Sequence, residues 1–207
     1  MPKLDKIYLY RMTHIENIPH ILQCGITHST SANANPNFRP IGDNCLISTR
    51  NNYTLENGKL LGEYIPFYFG VRTPMLYVVQ KGFNRVAPTP VENIVYCVSS
   101  VQKIIDLHLD FVFTDGHAVD GFSSQYNNSD INDIDTIVDW NAVKATYWHN
   151  ENDLDLKRRK EAEFLVLGDI PINGILGYIV YNEDSKKKMI GYGVNDDNIH
   201  IKSSFYF

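Results

Sequence analysis

Four basic residues crowd the entrance of a short apolar run in residues 157–167, KRRKEAEFLVL, and two carboxylates stand at its mouth. An apolar run this short, bounded by charge, fits a buried strand entered from a solvated edge. Taken as extended from Glu161, the stretch puts Glu161, Glu163, Leu165 and Leu167 on one face and Ala162, Phe164 and Val166 on the other. The two carboxylates would then lie one pleat apart, roughly 6–7 Å, with side chains aimed the same way. Charge runs beside strands are commonly surface, so on this stretch alone Lys157, Arg158, Arg159 and Lys160 read equally as solvated partners of the two glutamates.

The remaining pattern is one of short strands with few helices between them. Residues 7–12, IYLYRM, predict an opening strand. Thr13 can cap a helix over residues 15–23, which buries Ile15, Ile18, Ile21 and Leu22 and ends at Gly25. Thr13, His14 and Asn17 then sit beside a helix N-terminus, where backbone N–H groups can take an anion or polar ligand. Residues 45–49 read as a short strand or turn delivering Arg50, and further strands are expected at 60–68, 75–79, 93–99 and 111–114. A helix is expected at 101–109. Residues 174–181 read as a docking strand, and 189–194 with 199–207 as a closing hairpin-like pair.

Two polar stretches break the pattern. Residues 27–44, THSTSANANPNFRPIGDN, and 120–139, rich in Ser, Asn and Asp, are too long for ordinary connections and suit lids over a ligand. In the first, Phe38, Arg39, Pro40, Ile41 and Gly42 make a compact group able to fold over a site; in the second, Phe122 and Tyr126 are the candidate anchors.

The expected class is α+β with a mixed or antiparallel sheet, as one domain over residues 1–207. No GxGxxG, GxxxxGK[ST] or GxSxG occurs, which removes the common dinucleotide, P-loop and hydrolase signatures. Cys24, Cys45 and Cys97 are odd in number and far apart, which fits reduced thiols and a cytoplasmic setting. No metal-ligand spacing is present, so no metal is expected. Nothing resembles a signal peptide or membrane span. A formal net charge of −5 argues against a general DNA-coating protein, although local basic patches remain compatible with nucleic acid.

Five segments, in order, resemble the DarT family, DNA ADP-ribosyltransferase toxins paired with macrodomain antitoxins. They are YRMTHIENIPHIL from Tyr10, FRPIGDNCLISTR from Phe38, GEYIPFYFGVRTPMLY from Gly62, FTDGHA from Phe113 and RKEAEFLV from Arg159. The resemblance implies an ADP-ribosyltransferase-like split sheet holding NAD as co-substrate without a Rossmann motif, and a base in single-stranded DNA, thymidine by preference, as acceptor. Carried over residue by residue, it implies Glu163 and Arg50 as the catalytic pair. Thr13, His14, Asn17, Asn35, Phe38, Ile41, Gly42 and Arg50 are the implied NAD contacts. Arg72, His117, Lys157, Arg158 and Arg159 are the candidate DNA contacts, with the loop 120–139 reading local sequence and Lys160 solvated.

Breaking the nicotinamide–ribose bond develops positive charge on the ribose, a state a carboxylate under the ribose hydroxyls stabilises. Glu163 is therefore expected to act on the transition state, and Arg50 to hold the pyrophosphate or the incoming base. The Glu161–Glu163 pair resembles the ExE pair of protein-modifying transferases, which keeps RNA or protein as alternative acceptors. A catalytically idle nucleic-acid or partner-binding module on the same fold is the competing reading from a different class.

Overall fold

The computed structural model describes residues 3–207, apart from the side chain of Asn44. Its strands are β1 (Tyr8–His14), β2 (Tyr64–Tyr68), β3 (Ile94–Ser100), β4 (Phe111–Thr114), β5 (Gln125–Tyr126), β6 (Glu163–Leu167), β7 (Gly177–Val180) and β8 (Ile199–Ile201). They form one sheet in the order β5-β4-β6-β2-β1-β3-β7-β8. Every pairing is antiparallel except β7 with β8, so the expected α+β class with a mixed sheet holds. The helices are α1 (Ile18–Cys24), α2 (Asn44–Asn52), α3 (Pro74–Lys81), α4 (Val101–Asp106), α5 (Ile134–Ile137), α6 (Trp140–Lys144), α7 (Leu156–Lys160) and α8 (Glu183–Gly191).

The sheet is split at its centre. β1 pairs with β3 over seven residues and β2 with β6 over five, but β1 and β2 share the single pair Tyr10–Tyr68. Strands joined at one point splay, and a cleft opens between them. Behind β2 and β6 the apolar faces pack as Ile65, Phe67, Phe164 and Val166, all buried, with Phe111 stacked on Phe164 at 4.6 Å between ring centroids.

Four sequence expectations are corrected. Residues 45–49 are helical, within α2, because Asp43 caps them by accepting from Cys45 N at 2.8 Å. Residues 75–79 are helical too, although PMLYVVQK is rich in strand formers. Thr73 accepts from Leu76 N at 3.2 Å, Pro74 opens the first turn, and Gly82 stops the helix in the left-handed region at φ 76°. Residues 189–191 end α8, and β8 runs parallel to β7, so the C-terminal part is no hairpin. Finally, KRRK is the body of α7, and the strand starts at Glu163. Glu161 caps α7 with φ −92° and ψ 22°, so the alternation does not reach it and the two carboxylates are not same-face strand neighbours.

The second irregular region is also more ordered than expected, carrying β5 and α5 and burying Ile131, Ile134 and Val138. Tyr126 anchors it, stacked on Phe113 at 5.3 Å, whereas Phe122 is 88% exposed and anchors nothing.

Candidate active site

Glu163, the first residue of β6, pairs with Tyr68 of β2 and is fully buried. Its register is held by Thr114 at the end of β4, whose Oγ1 accepts from Glu163 N at 3.2 Å and donates to Gly116 O at 2.6 Å. The turn that Thr114 closes delivers Ala118 N to Glu163 Oε1 at 3.0 Å. Arg50 arrives from α2 and donates Nη1 to the same oxygen at 3.1 Å. α2 can pack this closely on the turn Leu61–Glu63 that leads into β2 because residue 62 is glycine: a Cβ there would sit 2.7 Å from the Asn51 Cα.

Glu163 Oε2 lies 2.9 Å from Arg50 Nη1 but receives no hydrogen bond, and Arg50 Nη2, also buried, donates none among the described residues. A buried guanidinium nitrogen without a hydrogen-bond partner carries a desolvation cost.

Around this pair lies a cleft of about 380 Å³. The structure brings together there Thr13, Asn35, Phe38, Ile41, Gly42, Arg50, His117 and Glu163. One wall is β1, another is β2, and the third is the 27–44 stretch, which folds over the cleft rather than running free. Asn17 ties that stretch down, donating Nδ2 to Thr13 Oγ1 and to Arg39 O, each at 2.9 Å, and accepting from Arg39 N at 2.8 Å. Asp169 holds its other end through His28 N at 2.6 Å and Ser31 Oγ at 2.5 Å.

Asn17 and His14 therefore stand one layer behind the lining. His14, not Thr13, caps the turn after β1, its Nδ1 accepting from Glu16 N at 3.1 Å. Burial and then Arg39 lower the His14 pKa, so the ring stays neutral. The N–H expected to await an anion is already engaged by this ring.

Among the lining residues that sequence does not mark as site residues are Tyr68, Arg11 and Asp43. Tyr68 is a neutral phenol, its pKa raised well above 10 by burial and then by the charge of Glu163. Arg11 donates Nη1 to Pro66 O at 3.1 Å, and burial lowers its pKa to about 10. Asp43 is the α2 cap. The signal for Arg11 was legible: an arginine inside a strand of apolar and aromatic residues needs a special reason to be there.

His117 lines the cleft near Glu163, and burial lowers its pKa. Glu161 is 8% exposed, and its pKa is raised to about 7, first by burial. The basic residues divide. Lys157 is exposed. Arg158 is paired with Asp155 at 2.7 Å and Asp115 at 3.1 Å. Arg159 is paired with Asp139, with Asp153 at 2.5 Å and with Asp155 at 3.1 Å. Lys160, expected in solvent, is instead buried, donating Nζ to Ala145 O at 2.6 Å and Val143 O at 3.2 Å. Arg72 stands apart from the cleft, its guanidinium carbon 4.5 Å from the centre of the Phe207 ring. Among the described residues no group of three His, Cys, Asp or Glu side chains could hold a metal, and no helix is long and apolar enough to cross a membrane.

Comparison with known proteins points one way. The family model described as "ssDNA thymidine ADP-ribosyltransferase, DarT" matches residues 10–207. The DNA ADP-ribosyl transferase of Escherichia coli O127:H6 is 30% identical over 209 residues, covering 98% of this chain and 94% of the relative. A DNA ADP-ribosyl transferase-DNA ADP-ribosyl glycohydrolase fusion protein of Thermosipho africanus is 31% identical over 160 residues, 76% of this chain and 38% of its own. Among solved structures, Thermus sp. 2.9 DarT in complex with ADP-ribosylated ssDNA superimposes with a TM-score of 0.86 at 28% identity, covering 100% of this chain and 98% of that one. The same Thermus protein in complex with NAD+ gives 0.80 at 28% identity, covering 100% and 99%.

Proposed function

The chain belongs to the DarT family and is an NAD-dependent DNA ADP-ribosyltransferase; within that activity we propose that Glu163 and Arg50 form the catalytic pair acting on a thymine base in single-stranded DNA. The observation that carries this reading is the buried ion pair in the split of the sheet, Glu163 with Arg50 Nη1 at 2.9 Å from Oε2 and 3.1 Å from Oε1, beside which the buried Arg50 Nη2 makes no hydrogen bond among the described residues. NAD supplies the ADP-ribosyl group: its nicotinamide–ribose bond breaks, nicotinamide leaves, and the ribose carbon bonds to the base nitrogen, whose proton is lost. Glu163 places its carboxylate against the ribose hydroxyls and stabilises the positive charge that grows as the glycosidic bond opens, an interaction stronger in the transition state than before it. Ala118 N and Arg50 Nη1 hold the carboxylate in place, so it needs no reorganisation during the reaction. Arg50 directs its free nitrogen to a pyrophosphate or base oxygen.

Thr13, Asn35, Phe38, Ile41 and Gly42 line the NAD cleft, and Asn17 and His14 position that lining from behind. His117, neutral and beside Glu163, faces the acceptor base. The proton on the base nitrogen goes to Glu163 or to a neighbour in the cleft. Lys157 and Arg72 are the free cations for phosphate, while Arg158 and Arg159 act indirectly by holding the 115–123 turn and the 139–155 segment. Residues 1–207 work as one domain, supported by the continuous sheet. The DNA acceptor and the free thiols of Cys24, Cys45 and Cys97 support a cytoplasmic setting. The fusion of a relative to a DNA ADP-ribosyl glycohydrolase supports a macrodomain antitoxin partner that reverses the modification.

The deciding experiment is mass measurement of mixed single-stranded oligonucleotides incubated with NAD. Wild-type protein is expected to leave an ADP-ribose adduct on thymine-containing strands, and Glu163→Gln none. An equal yield from both would remove Glu163 from its role, and adducts confined to RNA or protein would change the acceptor.

A further inference from the structure

A second cavity, of about 600 Å³, opens at the other end of the β1–β2 split. Along these strands the catalytic cleft takes Arg11, Met12 and Thr13 with residues up to Tyr68, whereas the second cavity takes Ile7, Tyr8 and Tyr10 with residues 69–72. The Tyr10–Tyr68 pair stands between them, and Tyr68 is itself the ladder partner of Glu163.

We propose that this second cavity, lined by Lys6, Tyr8, Arg72, Trp140 and Lys144, is a holding subsite for the single-stranded DNA beyond the target base. It rests on the reading of base modification at Glu163 and extends it to the path of the strand.

Charge is the first reason. Lys6, Arg72 and Lys144 face the cavity with Asp135 as the sole acid in its lining, on a chain whose net charge is −5. Among the described residues Arg72 and Lys144 make no ion pair, and Lys6 has only its exposed neighbour Asp5 at 3.5 Å. This reverses the impression left by KRRK, whose two arginines are engaged internally. Cations without counter-ions around a concave surface attract a phosphate chain.

Rings are the second reason. Tyr8 is 41% exposed and Trp140 partly so, beside those cations. Aromatic faces interleaved with basic groups suit unpaired bases and their phosphates, and distinguish a nucleic acid from an acidic peptide, which needs the charge alone. Arg72 is already fixed, at φ 53° and over the Phe207 ring, so little freedom is lost when it binds.

Distance is the third. From the Tyr10–Tyr68 level to Tyr8 is two strand residues, roughly 7 Å. Glu163 lies two strands across from Tyr10, a further roughly 10 Å, so the path from the target base to this wall is roughly 12 Å, about three to four stacked nucleotides. The segment from Arg72 in the cavity to Met75 in the cleft lines both.

The test compares oligonucleotides of about four and about sixteen nucleotides around the same thymidine. Lys6→Ala/Lys144→Ala, both at exposed positions, is expected to raise KM for the long strand roughly tenfold and to lower the salt slope of its affinity by about 1.4. KM for the short strand, KM for NAD and kcat stay as in wild type. Tyr8→Ala is expected to weaken the long strand about fivefold or more with no change in salt slope. Unchanged long-strand parameters would overturn the subsite and assign the cations to another partner, such as an acidic protein face. Equal weakening of both lengths would overturn it as well. Wild-type protein that modifies neither oligonucleotide defeats the transferase reading itself, whereas wild-type adducts with indifferent variants defeat only the subsite.

Discussion

Glu163 and Glu161 are two residues apart in sequence and opposite in character. Glu163 has a backbone N–H on one oxygen and the Arg50 guanidinium within 3.1 Å of both, so in the proposed role replacing it removes an interaction formed mainly in the transition state. Glu163→Gln is expected to lower kcat by about 10²–10³, with NAD binding retained, as followed by nicotinamide release and by ligand-induced thermal shift. Glu161 is buried with no ion-pair partner within reach among the described residues, and its pKa rises from 4.5 to about 7, first by burial and then against the lowering by Lys157. A carboxyl with a raised folded-state pKa contributes its full stability below pH 4.5 and loses it as pH climbs towards 7. Glu161→Gln is thus expected to change little at pH 4.5 and to stabilise the protein at pH 8, by on the order of 1–3 kcal/mol. Urea titrations at the two pH values read this out. A variant destabilised equally at both would mean that Glu161 holds its neighbours through a contact independent of charge.

At the level of elements, Arg159 joins three pieces of chain: Asp139 before α6, Asp153 in the loop, and Asp155 at the start of α7. Lys160 adds to this from below, pinning the carbonyls at the end of α6. Arg159→Ala is expected to destabilise the fold by about 1–2 kcal/mol and to make the 146–155 segment the first site of limited proteolysis. It should leave the salt slope of DNA affinity unchanged, since the guanidinium is already enclosed by carboxylates. A lower slope would return Arg159 to the phosphate path. This is also where sequence reading reached its limit. Burial follows period, so Phe111–Thr114, Ile94–Ser100 and Glu163–Leu167 were legible within a residue or two. The helix Pro74–Lys81 was hidden because its composition favours a strand; Thr73, Pro74 and Gly82 decide it, and such caps weigh little in a count of periodicity. The helix that carries Arg50 has almost no apolar stripe, and a side-chain cap plus an ion pair across the site hold it. In the candidate site, the 27–44 stretch was readable from its length and polarity, and Glu163 and Arg50, nominated by family resemblance, are a pair that the structure brings together. The ion-pair partners of Arg158 and Arg159 are acids of ordinary surface type, which nothing in the sequence marks as converging.

For the whole molecule, the feature that matters is that the sheet is two half-sheets, β5-β4-β6-β2 and β1-β3-β7-β8, laddered to each other through one residue pair and tied further by Arg11 Nη1 donating to Pro66 O. Function follows from that weakness. Strands fully laddered at the centre would leave no cleft, and the ion pair of Glu163 and Arg50 would have nothing to meet. The two halves contribute different groups: Thr13 and Arg11 come from β1, and Glu163 and Tyr68 from β6 and β2, with Arg50 leaning in from α2. A molecule lying in the split therefore bridges the halves and fills buried groups that are otherwise unpaired, so binding and stability are linked. NAD at about a hundred times its Kd is expected to add roughly 2.7 kcal/mol, which for a chain of this size raises Tm by about 5–10 °C. The measurement is best made on Glu163→Gln, where turnover does not consume the ligand. Arg50→Ala in the same background should reduce the shift to about 2 °C or less if the guanidinium meets the pyrophosphate as proposed; an unchanged shift would assign Arg50 to the base instead. Hydrogen exchange should show protection rising on both β1 and β2 when NAD is added. Protection confined to β2 and β6 would mean that the co-substrate sits on one half only, and that the split serves the DNA rather than NAD.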